Sequence, residues 1–521
     1  MKNLFVSVLF AATLLSRPAV SQVSFVETGR TAARLLDQAT WGPTAADMIQ
    51  VQTMGVNDWL NWQFSLNTSD LPDQPILTTA GMPNYDLTPV QSAFFQNAVT
   101  GQDQLRQRVA FALHETWVVS AVQTRWAYAY PPYWRIFRDN AFGNYRDIIK
   151  AVTLSPAMGD YLSMANNNKG NPAKGTSANE NYARELMQLF TLGLTQLHPD
   201  GTPVLDTNNN PIPTYNQAVV TNVAKIMTGW TFPAAPNATP KNNNPFYFIG
   251  QMYAADINHD TSAKAIFGNI QIPAGQTAVQ DLESLLDALM AQNTMAPFVC
   301  TRLIQHLVTS NPSPEYIARV SNVFLDNGSG VRGDMKAVVT AILTDQEARA
   351  GDSPGAAVSS SFGHLREPIL FLTNLLRGLN ATLDGANTLY RFPSQLGQNL
   401  FFPPTVFSYF SPQYRTEKGL LGPEFQINST QTASFRADQV NTALYGTLEK
   451  DVKLDLTTYL AMGNDISSLL DYIDFIFMHQ TMSSDLRAAA TSAASAANTP
   501  LARVQAALYV VLTSGEYQVI Q

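Results

Sequence analysis

The chain has 521 residues, a formal charge of −8 and a single cysteine, Cys300. That length suffices for a large core and, at roughly 150 residues per domain, for two or three domains. The acidic balance excludes a basic surface for nucleic acid, and one cysteine excludes a disulfide within the chain, so packing must hold the fold.

From the N-terminus, Lys2, the apolar run Leu4 to Leu15 and the small residues Ala19-Val20-Ser21 read as an export signal over residues 1–21. The run falls short of the roughly 18–20 apolar residues a bilayer span needs, so an exported periplasmic or extracellular product without a transmembrane anchor is expected. Helical periodicity follows at 30–40, breaks at Gly42-Pro43, and resumes behind a Thr44/Asp47 capping box until Gly55. Leu105, Val109, Leu113 and Trp117 recur every fourth residue and predict a helix over 104–119 with that side buried. Further helices are predicted at 144–153, 178–192, 216–228, 278–292, 314–326, 333–345 and 368–379. The Ala-rich stretch 488–497 favours helix, and Thr499-Pro500 opens a last helix with Leu501, Val504, Leu508 and Val511 as its apolar stripe. Strand signal is confined to 202–214, where two short stretches flank Asp206 to Asn210. The expected fold is therefore mainly α, a large multi-helix globular array with one small β-hairpin near residues 202–214. Pro- and Asn-rich residues 233–245 suggest a division into helical regions 22–245 and 246–521, or a single packed unit.

Among residues that could carry chemistry, 177–193 is the richest segment. Asn181, Arg184, Glu185 and Gln188 fall on one polar stripe able to grip a polar ligand, and Tyr182, Leu186, Leu189 and Phe190 on the buried one. The structural alternative is a Ser177/Glu180 capping box, a Glu180–Arg184 pair and a Gly193 stop. Arg106, Arg108, His114 and Glu115 form a second cluster; with Val at 118 it holds only half of a zinc-protease metal grip, and a core role for His114 is the alternative. His259-Asp260 pairs a base with a carboxylate, or makes a turn. Asp206, Asn208 and Asn210 alternate as calcium-loop oxygens do, without the glycine and closing glutamate of an EF-hand. His364-Leu365-Arg366-Glu367-Pro368 reads as a helix start and secondarily as an ion-pair site. The aromatic stretches 126–134 and 401–414 offer flat rings for stacking on sugars or peptides, or core. Phosphate-loop, nucleophile-elbow and paired-cysteine templates are absent, and no cofactor is indicated.

The strings Gln104-Leu105-Arg106-Gln107-Arg108-Val109-Ala110-Phe111 and Asn179-Glu180-Asn181-Tyr182-Ala183-Arg184-Glu185-Leu186, with Leu192-Gly193, Thr228-Gly229-Trp230, His259-Asp260, Arg366-Glu367-Pro368 and Val406-Phe407, resemble a bacterial family called domain of unknown function 1800. The resemblance runs from about Ala33 to the C-terminus. It implies export and, from gene neighbourhoods, a second secreted partner of sulfatase-like or phosphatase-like type; it carries over no catalytic set. Some relatives place a second histidine where this chain has Thr116, so a two-histidine metal site there is not expected here. Two functions follow. One is a binding or accessory protein for another secreted protein or a surface polymer, using Asn181, Arg184, Gln188, Arg106 and Arg366. The other is a carboxylate-dependent hydrolase or transferase, with Glu180 or Glu185 as base and His114 or His259 assisting.

Overall fold

A computed structural model describes residues 25–268, 270–353 and 358–521; the expected export signal lies outside them. The described residues form twenty-two α-helices and four two-stranded ladders, a mainly α fold. Helices fall where amphipathic runs meet caps. Thr44 accepts from the Asp47 backbone N–H to open Ala45–Met54, and Gly55, at φ 79°, closes it. Asn144, Asn216, Thr277, Ser313, Asp334 and Thr499 likewise accept a backbone N–H at the first turn of the helices they precede. In Pro500–Leu512, Val504, Leu508 and Val511 are buried as expected, whereas Leu501 is 46% exposed.

Three expectations are corrected. The 178–192 helix is in fact split: Asn181–Glu185 is α-helical and Leu186–Thr191 is a π-helix, in which the Leu192 N–H reaches back five residues to the Met187 carbonyl. Thr191 Oγ1 donates to the Leu186 carbonyl and Tyr145 donates to that of Phe190. The wider turn rotates the segment's end, so Met187 is buried and Leu189 only half-buried. The start is not a Ser177/Glu180 box either: Asn179 Oδ1 accepts the Asn181 N–H. Strand, moreover, is not confined to one place. Residues 202–214 do fold back through bridges such as Leu205↔Pro211 and Leu197↔Pro203. The regular ladders lie elsewhere, at Trp230–Thr231 with Tyr253–Ala254, Lys264–Ile266 with Ile270–Ile272, His364–Leu365 with Val519–Ile520, and Thr382–Leu383 with Val452–Lys453. Most are two-residue pairings, too short for period-two alternation to show in sequence.

Buried apolar residues form a large cluster reaching from Ala32 to Ile520 and a second one between Phe371 and Tyr517, built on the last helices. The Gly42-Pro43 break sits between them. Arg377 donates through Nε to the Gly42 carbonyl and through NH2 to Asp47, 2.6 Å each. Gly42 adopts φ 124°, and a Cβ there would stand 2.6 Å from Asn374 Cα. We therefore expect Gly42→Ala to cost at least about 1–3 kcal/mol in urea unfolding, and more than Gly419→Ala, whose left-handed φ of 81° alone costs about 1 kcal/mol because its Cβ meets no atom.

Candidate functional site: a buried ionic cluster beside a cavity

The site grows from Asp37, on the buried face of the Phe25–Ala39 helix among Ala33, Leu36 and Ala39. A carboxylate there must be answered by charge and hydrogen bonds. Arg366 supplies both: NH1 lies 2.9 and 2.7 Å from the two Asp37 oxygens and NH2 2.7 Å from Oδ2. Asn374 Nδ2 donates at 2.9 Å, and His479 Nε2 stands 2.8 Å from Oδ2. Arg366 is anchored in turn by Nε donating to the Tyr517 carbonyl at 3.0 Å, by its N–H on the Gln518 carbonyl and by the Tyr517 ring beneath its guanidinium. Burial opposes ionisation of Asp37, but Arg366 and His479 overcome it and hold its carboxyl below the ordinary range. Burial lowers His479 despite Asp37, so the imidazole is neutral near pH 7.

His479 and Gln480 both lie in the left-handed region, at φ 52° and 59°, which costs energy for residues with a Cβ. The turn is held by Asp474, whose carbonyl accepts the Gln480 N–H and whose Oδ1 accepts the Met482 N–H. Above it opens a cavity of about 230 Å³, lined by Arg366, Phe477, His479, Thr481, Glu516 and Val519 among others. His479 lines this cavity while its Nε2 lies 2.8 Å from Asp37, a close contact without hydrogen-bond geometry.

Behind Arg366 the network continues inward. Glu367, Glu115, Glu424, Arg108, Arg436 and His364 are all buried. Ser408 donates to Glu115 at 2.5 Å, Gln398 Nε2 donates to Glu367 at 2.5 Å, Arg108 donates to the His306 carbonyl, and Arg436 donates to the Arg366 carbonyl. Burial, and then Glu367, push Glu115 well above the ordinary carboxylate range; Glu367 is raised by burial against the pull of Arg108. Among the described residues no group of three or more His, Cys, Asp or Glu is placed to hold a metal ion, and no helix is long and apolar enough to cross a membrane.

The residues singled out from sequence do not share one surface. Arg366 is in the cluster. His114 is ringed by Tyr133, Trp134, Phe137 and Phe401, its nitrogens without hydrogen-bond partners, and burial pulls it down to about 4. Arg106 donates to the Arg138 carbonyl and lies over Phe142. Glu180 accepts from Gln217, Thr221 and Arg184; burial works against its ionisation, but these bonds leave it below the ordinary range. Glu185, half-buried beside Arg184, is raised by burial. Asn181 is exposed and Gln188 half-buried. Asp206 Oδ1 accepts the N–H groups of Asn208 and Asn210, an exposed turn. His259 is fully buried: Nδ1 lies 2.8 Å from the Thr228 carbonyl and Nε2 3.0 Å from Asp281, which also binds Lys264 at 2.7 Å. Its carboxylate partner is therefore Asp281, while Asp260 closes a turn onto Ser262.

The profile of the family described as a protein of unknown function, DUF1800, matches residues 34–519, nearly the whole described chain. The chain belongs to the DUF1800 family. No curated protein and no solved structure matches it. The strings that carry the DUF1800 resemblance become physical here. Gly229 (φ 84°) lets its backbone pass His259, whose Cα is 3.0 Å from where a Cβ would sit, and Thr228 Oγ1 accepts the Asp260 N–H, so Thr228-Gly229 and His259-Asp260 are one clasp. Arg108 and Arg366-Glu367-Pro368 belong to the other.

Asp37, Asn374, His479 and Tyr517 were not found by sequence reasoning; the available signal was an aspartate on the apolar stripe of the first helix. Asp37→Ala, which strands Arg366 in the interior, should lose about 3–5 kcal/mol in urea unfolding. Because Glu115 is raised in the folded chain, the fold holds an extra proton above the ordinary value of 4.5 and loses stability as pH rises through the folded value. Unfolding free energies measured from about pH 5 to 8 should fall for the parent chain relative to Glu115→Gln.

Proposed function

We propose that this chain is an exported hydrolase or transferase in which His479, oriented by Asp37, is the general base. The observation that carries this reading is a histidine on left-handed backbone that lies 2.8 Å from buried Asp37 and also lines a cavity. His479 takes the proton from water or an acceptor hydroxyl as that oxygen bonds to the substrate's electrophilic centre. The imidazolium, stabilised by Asp37, returns the proton to the leaving atom as its bond breaks. Glu516 and Thr481 at the cavity wall offer hydrogen-bonding groups, and Phe477 with Val519 an apolar side. At about 230 Å³ the cavity suits a small substrate or one end of a larger one. Export is supported by the Lys2 to Ser21 pattern.

The accessory reading, docking to a second exported protein of sulfatase-like or phosphatase-like type, draws on Arg184 and Glu185, which stay partly accessible on the Asn181–Glu185 helix.

A panel of chromogenic esters, phosphoesters and glycosides tests the enzyme reading. Turnover of at least one is expected, with His479→Gln lowering kcat about 100-fold or more while Tm moves by only a few degrees. The acid limb of kcat/KM should fall below the ordinary histidine range, since His479 is lowered. Undiminished turnover in His479→Gln would refute the assignment.

A further inference from the structure

The clasp that joins Thr228-Gly229 to His259-Asp260 closes over three titratable side chains that the His479 site does not use. His259, Lys264 and Asp281 are 0%, 1% and 0% exposed. They come from the residue after the Asp256–Asn258 turn, the start of the Lys264–Ile266 strand and the first turn of the Ala278–Met290 helix. All three meet at one oxygen. Lys264 Nζ lies 2.7 Å and His259 Nε2 3.0 Å from Asp281 Oδ2, while Asp281 Oδ1 has no hydrogen-bond partner.

Each contact has a direction. Lys264 Nζ also donates to the carbonyls of Asp260 and Ser262. Those carbonyls hold two of its hydrogens, so the remaining valence of the nitrogen is aimed at the Asp281 carboxyl. Once the proton on that valence passes to Oδ2, the lone pair of the amine faces the carboxyl group. His259 is oriented too. Its Nδ1 lies 2.8 Å from the Thr228 carbonyl, which can only accept, so Nδ1 carries the ring hydrogen. Nε2 is then the nitrogen that exchanges a proton with Oδ2. Two desolvated ions are costly in such an interior and a neutral bond between them is not, and the standing contact has already met the entropy of bringing amine and acid together.

We propose that Lys264 and Asp281 are joined by an isopeptide bond that the folded chain forms itself, with His259 as the proton carrier. Lys264 Nζ, having given one proton to Oδ2, attacks Asp281 Cγ and forms the N–C bond. A second proton leaves the nitrogen and reaches Oδ2 through His259 Nε2; the Cγ–Oδ2 bond breaks and Oδ2 departs as water. Oδ1 becomes the amide oxygen, and one hydrogen stays on the nitrogen. An ammonium and a carboxylate thus become a neutral amide and one water, with no redox change and no co-reactant. The bond ties the Lys264–Ile266 strand to the Ala278–Met290 helix, in a chain whose single cysteine permits no internal disulfide.

Intact-mass spectrometry of the denatured full chain, followed by a tryptic digest, tests this. Counted from its observed first residue, the protein is expected to be lighter than its sequence by one water, about 18 Da. Trypsin does not cut at an acylated lysine, so residues 242–302 should appear as one peptide that lacks one water. Lys264→Arg and Asp281→Ala should each show their full sequence mass, and so should His259→Gln; a bond formed equally in His259→Gln would remove His259 from the reaction. A succinimide at Asp200-Gly201 or Asp384-Gly385 also loses water, and the position of the deficit separates it from the amide. The parent chain decides the matter whether or not the variants fold. Full mass with separate peptides 242–264 and 265–302 would overturn the proposal, as would a deficit located outside 242–302.

Discussion

Everything in this structure is arranged around one buried ion pair, Asp37 with Arg366. Both side chains are almost wholly removed from water, and two charges in such surroundings are tolerable only when each is paired and its remaining hydrogen-bonding positions are filled. The fold meets that demand by drawing in distant parts of the chain. The first helix brings Asp37, the Pro368–Gly378 helix brings Asn374, the turn after Ile466–Phe477 brings His479, and the C-terminal segment brings the Tyr517 carbonyl and ring. The ladder of His364–Leu365 with Val519–Ile520 is the backbone side of the same arrangement. N- and C-terminal segments are thereby fastened to one guanidinium, with no covalent link.

That solution extends inward. Three guanidiniums, of Arg108, Arg366 and Arg436, sit among four carboxylates, of Asp37, Glu115, Glu367 and Glu424. A buried excess of one negative charge is relieved most readily by a proton, and burial raises both Glu115 and Glu367 above the ordinary carboxylate range. At its outer edge the same network meets the cavity through His479, whose left-handed backbone is tolerated because Asp474 holds the turn. Structural demand and chemical opportunity thus share one set of residues. Pairing Asp37 leaves it ionised, and an ionised Asp37 is what gives a neutral imidazole beside it the character of a base.

The helices were legible because period and caps agree locally: Thr44, Asn144, Thr277, Ser313 and Thr499 sit where the first turn needs an acceptor. The π-turn at Leu186–Thr191 was not, since it depends on Tyr145 and Thr191 taking up carbonyls that an α-helix would have used, and Tyr145 comes from another helix. Of the site, Arg366 could be named from its position before a helix-opening proline. His479 could not, because nothing in Met478-His479-Gln480 announces that a helix 440 residues earlier will present a carboxylate to it. His259 illustrates the converse: the adjacent Asp260 suggested its partner, and folding supplied Asp281 instead.

By itself the sequence determined the helical class, the positions of most helix starts, the absence of internal disulfides and the family, because each is written in local spacing or in contiguous strings. Only the tertiary structure decided which charged residues share an interior and which histidine faces a cavity. Those depend on contacts between residues tens to hundreds of positions apart, where burial selects partners and local pattern is silent.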